Sequence, residues 1–260
     1  MIYFCRTEVK LMNHNQLLTT ISEIGRLLLK HGAEVYRVEE SLERMLQAYG
    51  YRDIEVFAIP TYFSLSVMLD DSTPFTVTKR TRQNRINLDN VYALNNLVRK
   101  ICQDPMSNEE IKTELEDINN RPIKMPLIFF GYGLCAAFFT LFFGGGLREC
   151  ILGGSIGFVV YFIIWLMETL EVNTIVSTLL ASIGLATMAI LFDTLGWINE
   201  FEAITIGCLM VLVPGVAITN SLRDIIGGEF VSGIARMVEA ILTATSIAIG
   251  VGIMILLFGG

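Results

Sequence analysis

The residues best suited to chemistry in this sequence follow a proline–glycine pair inside an apolar segment. Pro214 and Gly215 interrupt a helical run, and Asn220, Arg223 and Asp224 come soon after it. Proline removes a backbone donor and clashes with the preceding turn, so the helix must break there. Inside a membrane the freed polar groups need partners from protein or water, so such a break is typical of a helix that lines a cavity. Amide, guanidinium and carboxylate groups beside a broken membrane helix are suited to binding a small polar solute.

The spacing of the charged residues leaves two roles open. Asn220 and Asp224 are four residues apart and share a helical face, while Arg223 lies on an adjacent face. Glu239 lies inside the last apolar segment, where a charged group is costly and is therefore a candidate for function. It also follows Arg236 by one helical turn, so a structural ion pair between these two residues is the alternative.

The apolar segments that carry these residues occupy the second half of the chain. Of the 260 residues 53% are hydrophobic, and charged residues become sparse after residue 125. Five segments approach the roughly 20 residues that a membrane-crossing helix needs. They are residues 126–143, 150–170, 174–193, 202–218 and 235–258. The sequence therefore predicts an α-helical polytopic membrane protein with five transmembrane helices in a membrane domain, residues 121–260.

The distribution of basic residues predicts how these five spans are oriented. Arg121, Lys124, Arg223 and Arg236 fall on one side of the predicted membrane domain, and only Arg148 falls on the other. Because Lys and Arg concentrate on the cytoplasmic side, we expect a multi-pass protein of the cytoplasmic membrane with a cytoplasmic N-terminal domain and an external C-terminus. The first ten residues contain no apolar run of signal-peptide length, which agrees with this orientation.

Residues 1–120 have the composition and periodicity of a charged α+β domain. Helical spacing of apolar residues predicts one helix that ends at His31-Gly32, followed by helices at about 34–49, 88–102 and 107–119. Between them, alternation of apolar and polar residues predicts strands at 53–59, 61–69 and 75–78. We therefore expect helices around a three-stranded antiparallel meander.

Five polar residues of this domain are candidates for a second site. Glu39 lies at the edge of an apolar stripe, where a boundary carboxylate with a local hydrogen bond is the alternative, and Arg37 lies on the polar face of the same helix. Ser64 and Ser66 belong to a Ser/Thr row that suits either a binding surface or an ordinary solvent face. Asn95 lies in the predicted apolar face of the third helix, and a buried Asn bonded to backbone is the alternative to a ligand contact. No nucleophile-elbow motif surrounds the serines, so the sequence does not predict an enzyme or catalytic residues.

Composition excludes several further classes. The net charge of −7 argues against a nucleic-acid partner. The five cysteines are scattered and the two histidines, His14 and His31, have no companion ligands, so we expect reduced thiols, no metal site and no cofactor. A basic run, Lys79, Arg80, Arg82 and Arg85, suits either a loop near an anionic membrane surface or the attraction of an anionic substrate.

Four stretches of this sequence together resemble the threonine/serine exporter family. They are residues 32–50, 59–67, 87–101 and 213–236, and the VPG, N, RD and SG residues of the last stretch are the most specific. The resemblance implies export of a small amino acid or of a dicarboxylate such as succinate across the cytoplasmic membrane. It also implies the split form of the family, which needs a second small membrane subunit; a homo-oligomer is the alternative.

The leading hypothesis is therefore a secondary transporter subunit that exports a small carboxylate-bearing metabolite. In this hypothesis the break at Pro214-Gly215 presents backbone dipoles to the substrate carboxylate, and Asn220 and Arg223 donate hydrogen bonds to it. Asp224 or Glu239 carries a coupling proton. The alternatives are an accessory or regulatory membrane subunit and a membrane-tethered enzyme that uses the N-terminal domain.

Overall fold

The chain folds into two compact units. The computed structural model describes residues 14–69, 73–81, 86–121 and 125–258. The N-terminal unit contains the described residues up to 121 together with Thr219–Arg236, and the helical unit contains the described residues of Ile123–Ile218 and Met237–Gly260. The segment Thr219–Arg236, which holds the polar residues beyond the Pro-Gly pair, thus belongs to the N-terminal unit.

The N-terminal unit consists of four helices, a three-stranded sheet and the segment Thr219–Arg236. Its elements in chain order are α1 (His14–Lys30), α2 (Val35–Ala48), β1 (Arg52–Ile59), β2 (Tyr62–Met68), β3 (Pro74–Arg80), α3 (Leu88–Gln103) and α4 (Asn108–Asn119). The strands are antiparallel in the order β1-β2-β3, so the predicted meander is confirmed. The turn predicted between the second and third strands lies largely outside the described residues.

One face of the sheet forms the core of the N-terminal unit. Phe63, Leu65 and Val67 alternate along β2 and are buried. They pack with the apolar stripes of the helices, which recur at helical spacing because one side of each helix faces the core. The apolar stripes predicted for α1 and α2 are confirmed, because their residues are at most 7% exposed. These residues are Leu17, Leu18, Ile21, Ile24, Leu28 and Leu29 in α1, and Val35, Val38, Leu42, Met45, Leu46 and the C-cap Tyr49 in α2.

The apolar face predicted for the third helix, which contains Leu88, Val91, Tyr92, Val98 and Cys102, is wrong at Leu88 and Tyr92. Leu88 and Tyr92 are 60% and 67% exposed, whereas Leu94 and Leu97 are fully buried or nearly so. The helix carries two overlapping apolar stripes, and the structure buries the one that also contains Ile101. Asn95 consequently lies at the margin of the core and is half-buried.

The helical unit is built around four long apolar helices and one short one. The elements from this point of the chain are α5 (Met125–Phe142), α6 (Leu147–Thr169), α7 (Thr174–Thr194), α8 (Phe201–Leu209), α9 (Gly215–Ile226) and α10 (Phe230–Phe258). By length and composition, α5, α6, α7 and α10 are able to cross a membrane.

The segment predicted as the fourth span is not a single helix. It contains α8, which has nine residues, then the irregular stretch Met210–Pro214, and then the start of the 12-residue helix α9. Neither helix alone has the roughly 20 residues needed to cross the hydrocarbon core. Among the described residues the structure therefore gives four candidate spans where the sequence predicted five.

Small residues let α8 and α6 each approach α5 closely. A side chain at Gly207 of α8 would place a Cβ 2.5 Å from the backbone nitrogen of Thr140 in α5. A Cβ at Gly157 of α6 would lie 2.6 Å from the carbonyl oxygen of Tyr132. Such approaches are typical of helices that associate by backbone packing in membranes.

A buried carboxylate joins two loops of the helical unit. Glu149, in the first turn of α6, is 4% exposed. It accepts hydrogen bonds from the backbone nitrogen of Gly146, at 3.0 Å, and from that of Asn199, at 3.0 Å. The loop before α6 and the loop before α8 therefore lie at the same end of the helical unit.

Candidate functional site

The helix is interrupted where the sequence predicted a break. Helix α8 ends at Leu209, and α9 begins at Gly215 directly after Pro214. Proline lacks an N–H, which ends the ladder of helical hydrogen bonds, and the carbonyl of Pro214 accepts the first bond of the new helix from Ile218 at 3.1 Å. Helices α8 and α9 are therefore two separate helices.

Two donors of the segment Thr219–Arg236 bind the backbone of the loop between α1 and α2. The Nδ2 atom of Asn220 donates to the carbonyl oxygen of Gly32 at 3.3 Å, and the Nη2 atom of Arg236 donates to that of Ala33 at 2.8 Å. Gly32 has a φ of +86°, a left-handed conformation that glycine adopts at the end of a helix. We call the loop Gly32–Glu34 and the residues that hold it the clamp.

An ion-pair cluster around Glu34 forms the second part of the clamp. Glu34 is 7% exposed, and its Oε1 atom accepts a hydrogen bond from Nη1 of Arg223. Its Oε2 atom pairs with Nε of Arg37, which also donates to the Tyr36 hydroxyl at 3.0 Å. Burial by itself would raise the pKa of Glu34, but hydrogen bonds from Arg223 and Tyr36 and the charges of both arginines outweigh burial and lower this pKa below its usual range.

Asp224 is the most buried charged group of the clamp. Its side chain is 0% exposed, its Oδ2 atom lies 3.5 Å from Nε of Arg236, and it faces the backbone N–H of Val35 at the start of α2. Neither carboxylate oxygen completes a well-aligned hydrogen bond. Burial raises the pKa of Asp224, because Arg236 and the Val35 amide offset the lost solvation only in part and the charges of Glu34 and Glu229 oppose ionisation.

The turn between α9 and α10 brings these residues together. Gly228 has a φ of +96°, which lets the chain reverse after α9. The Ser221 hydroxyl then donates to the carbonyl oxygen of Gly233 at 2.7 Å. A Cβ at Gly233 would lie 2.4 Å from Ile225, so only glycine allows this approach of the two helices.

Glu239 does not take part in the clamp. It is exposed on α10, and within the described residues no ion pair involves it. The predicted pair with Arg236 is therefore not formed, because Arg236 points to Asp224 and to the carbonyl of Ala33.

Glu39 lies apart from the clamp contacts, at the outer edge of the sheet. Its Oε1 atom accepts a hydrogen bond from the backbone nitrogen of Ala58 in β1 at 2.6 Å, which is the local contact that the sequence left open. Burial raises the pKa of Glu39 to about 7 against the effect of that hydrogen bond, and the charges of Glu229 and Glu43 raise it further.

The remaining candidates of the N-terminal unit do not form a catalytic arrangement. Ser66 shares a hydrogen bond of 2.6 Å with Thr76 on β3, and Ser64 lies on the same partly exposed face of the sheet. Within the described residues no group of three or more His, Cys, Asp and Glu side chains is placed to hold a metal ion. Arg82 and Arg85 of the basic run lie outside the described residues.

Sequence reasoning missed Glu34, the central anion of the clamp. Glu34 is the N-cap residue of α2 but makes no capping hydrogen bond with its side chain. A glutamate at that position is an unusual choice, because Ser, Thr, Asp and Asn are the residues that cap a helix. The unusual residue type at this N-cap was the signal that the sequence offered for Glu34, but it does not indicate that Arg223 is the partner.

These features define a membrane protein with a broken helix whose polar residues bind an N-terminal α+β region. The chain belongs to the threonine/serine exporter family (ThrE), whose model matches residues 19–258. It is therefore a multi-pass membrane transporter of an exporter family, and no solved structure matches it.

Two curated relatives are similar along most of this chain. One, named "Probable succinate transporter subunit YjjP" from Klebsiella aerogenes, is 24% identical over 89% of this chain and 90% of its own length. The other, named "Probable threonine/serine exporter" from Mycobacterium tuberculosis, is 19% identical over 92% of this chain but only 46% of its own length. The chain thus spans less than half of the second relative.

Glu39 should make stability depend on pH. Its pKa is about 7 in the folded protein and near 4.5 in the unfolded chain, so the folded state favours the protonated carboxyl. Wild-type stability should fall as pH rises from about 4.5 to 7 and then level off, because the unfolded chain ionises first. As pH rises through this window, the free energy of unfolding of Glu39→Gln should increase relative to that of wild type by about 1–2 kcal/mol, after allowance for solvent screening.

The check is the thermal unfolding midpoint of the purified protein in detergent between pH 5 and 9. Glu40→Gln is the matched control, since Glu40 lies on the same helix and forms an exposed pair with Arg44. Equal pH profiles for wild type and Glu39→Gln would contradict the assignment.

Proposed function

We propose that this chain is one subunit of a secondary exporter that moves a small carboxylate-bearing metabolite out across the cytoplasmic membrane. The cargo is a threonine/serine-type amino acid or a dicarboxylate such as succinate, since the names of the two relatives give these classes. The observation that carries the proposal is the break at Met210–Pro214, which is followed directly by Asn220, Arg223 and Asp224. Broken helices with polar groups are where transporters bind their substrates.

The clamp supports a mechanism in which substrate competes with an internal carboxylate. Glu34 already occupies Arg223, and a substrate carboxylate presents the same two oxygens to a guanidinium. Displacement of Glu34 would free the loop Gly32–Glu34, while Asn220 supplies a second donor.

Asp224 and Glu239 are the proposed carriers of a coupling proton. Burial raises the pKa of Asp224, and a change in its charge would alter its pairing with Arg236. Glu239 lies on the apolar helix α10, where a charged group is a candidate for function. The interior-negative potential would also favour anion export, by roughly 2.3 kcal/mol per charge per 100 mV.

The proposed topology has five crossings, with α8, the break and the start of α9 together forming the fourth. Because Glu149 ties the loop before α6 to the loop before α8, both loops lie at the end opposite the start of α5. In this proposal the chain returns from that end before α10, a helix of 29 residues, crosses again. A cytoplasmic N-terminal unit and an external C-terminus follow from the excess of basic residues near the start of α5.

Single cysteines in a cysteine-free background test this topology. Asp117→Cys, on an exposed position of α4, should react with an impermeant maleimide only after the membrane is permeabilised. Glu200→Cys, in the exposed loop before α8, should react in intact cells. Reaction of both from the same side would contradict the five-crossing arrangement.

A second membrane subunit is proposed as the partner, with a second copy of this chain as the alternative. The Klebsiella relative is named a subunit, and the Mycobacterium exporter contains the matching region in less than half of its length. A cavity between related repeats would need a second broken helix, and a further subunit would supply it. The lipid bilayer surrounds both.

Efflux from proteoliposomes tests the exporter function. We expect the chain purified together with its partner to release preloaded labelled L-threonine or succinate, and the chain alone to be at least about tenfold slower. Asp224→Asn should abolish efflux because it removes the charge at nearly constant volume. Asp193→Asn, an exposed position at the end of α7, should leave efflux unchanged.

Each result decides between the alternatives. Full efflux by the chain alone would contradict the need for a second subunit but would support the transporter function. Wild-type efflux by Asp224→Asn would reject its assigned role. Efflux by the isolated partner at the rate of the complex would instead make this chain an accessory subunit.

A further inference from the structure

A cavity lined by charged, polar and apolar residues lies within the N-terminal unit, between α1, α4 and the end of β3. Its volume is about 350 Å³, which is within the range of pockets that hold small molecules. None of its lining residues belongs to the clamp. The cavity is therefore a separate site from the clamp.

One wall of the cavity offers a positive charge with spare hydrogen-bond donors. Lys79 lies at the end of β3, and its Nζ atom is 3.6 Å from Oε2 of Glu23. Arg26 already donates to both oxygens of Glu23, at 2.9 and 3.0 Å. Because an ammonium has three donors and this carboxylate is largely satisfied by Arg26, Lys79 can bind a further anion.

The end of α4 offers negative charge to the cavity. Glu116 and Asn119 lie in the last turn of α4, and Asn120 is its C-cap. The carbonyl groups at the end of a helix carry partial negative charge and favour a cation. Lys112 also lines the cavity, but its ammonium bonds Glu109 at 3.3 Å. Glu116 lines the cavity too, and within the part of the chain that the structure describes no ion pair involves it.

Part of the cavity lining is apolar. Leu27 of α1 and Leu115 of α4 are 4% and 7% exposed and contribute to the lining. The hydroxyl-bearing Thr19 and Thr20 of α1 also line the cavity. A positive group, a negative group and a small apolar surface match the carboxylate, the ammonium and the short side chain of one molecule.

We propose that this cavity binds a small free amino acid and serves as a sensor site, separate from the export path. Lys79 pairs with the carboxylate of the ligand, and Glu116 with the end of α4 pairs with its ammonium. A dicarboxylate fits poorly, because its second carboxylate would face Glu116. The choice of L-threonine as the probe rests on the proposed function, whereas the site itself rests on the geometry of the cavity.

Isothermal titration of the full chain in detergent with L-threonine tests the proposal. We expect saturable binding that Lys79→Met and Glu116→Gln each weaken by about tenfold, because each removes one charge-assisted contact. Lys100→Met is the matched control, since its ammonium bonds Glu114 outside the cavity, and its affinity should equal that of wild type. Equal unfolding midpoints of Glu116→Gln and wild type show that the fold is kept.

Several outcomes would overturn the proposal. These are no saturable binding of L-threonine, equal affinity in wild type and both cavity variants, or succinate binding at least as tightly as L-threonine. Binding that Asp224→Asn abolishes while the cavity variants keep it would assign the ligand to the clamp and also overturn the sensor site. Failure of the exporter function is seen separately, as absent efflux from proteoliposomes that contain the complex.

Discussion

The structure of the N-terminal unit depends on the burial of two carboxylates, Glu34 and Asp224, beside the start of one helix. A buried charge is costly unless it is paired, and removal of one partner leaves the other uncompensated. Arg223 and Arg236 provide the pairing, and both come from the segment Thr219–Arg236. This segment is therefore an integral part of the N-terminal unit.

The turn at Gly228 lets one segment supply both arginines. It reverses the chain after α9, so that Arg236 reaches the same loop as Arg223. The polar residues that first indicated a substrate site thus also hold the loop Gly32–Glu34. In the proposed mechanism these two roles are linked, because the substrate carboxylate replaces Glu34.

Local patterns in the sequence predicted most elements but not the clamp. Alternation along β2 and the stripe of α2 are local properties, so their buried residues were predictable, whereas the two overlapping stripes of α3 left the choice to tertiary packing. The fourth span was predicted from hydropathy with a break at Pro214-Gly215; the structure confirms the break, and neither of the two helices is long enough to cross a membrane alone. The sequence also singled out Asn220, Arg223 and Asp224, which the structure places in the clamp. Their partner Glu34 is 189 residues from Arg223, and no local pattern reports such a contact.

Hydrogen exchange of residues 31–37 tests the clamp most directly. The amides at the start of α2 have no partners within the helix, so their protection depends on Asp224 and on the contacts that hold the loop. In the double variant Arg223→Met/Arg236→Met, exchange of this peptide should be about tenfold faster than in wild type, as expected for a local opening that has lost two contacts. Arg44→Met, which breaks an exposed pair on the same helix, should leave exchange unchanged. Equal exchange in the double variant and wild type would contradict the clamp.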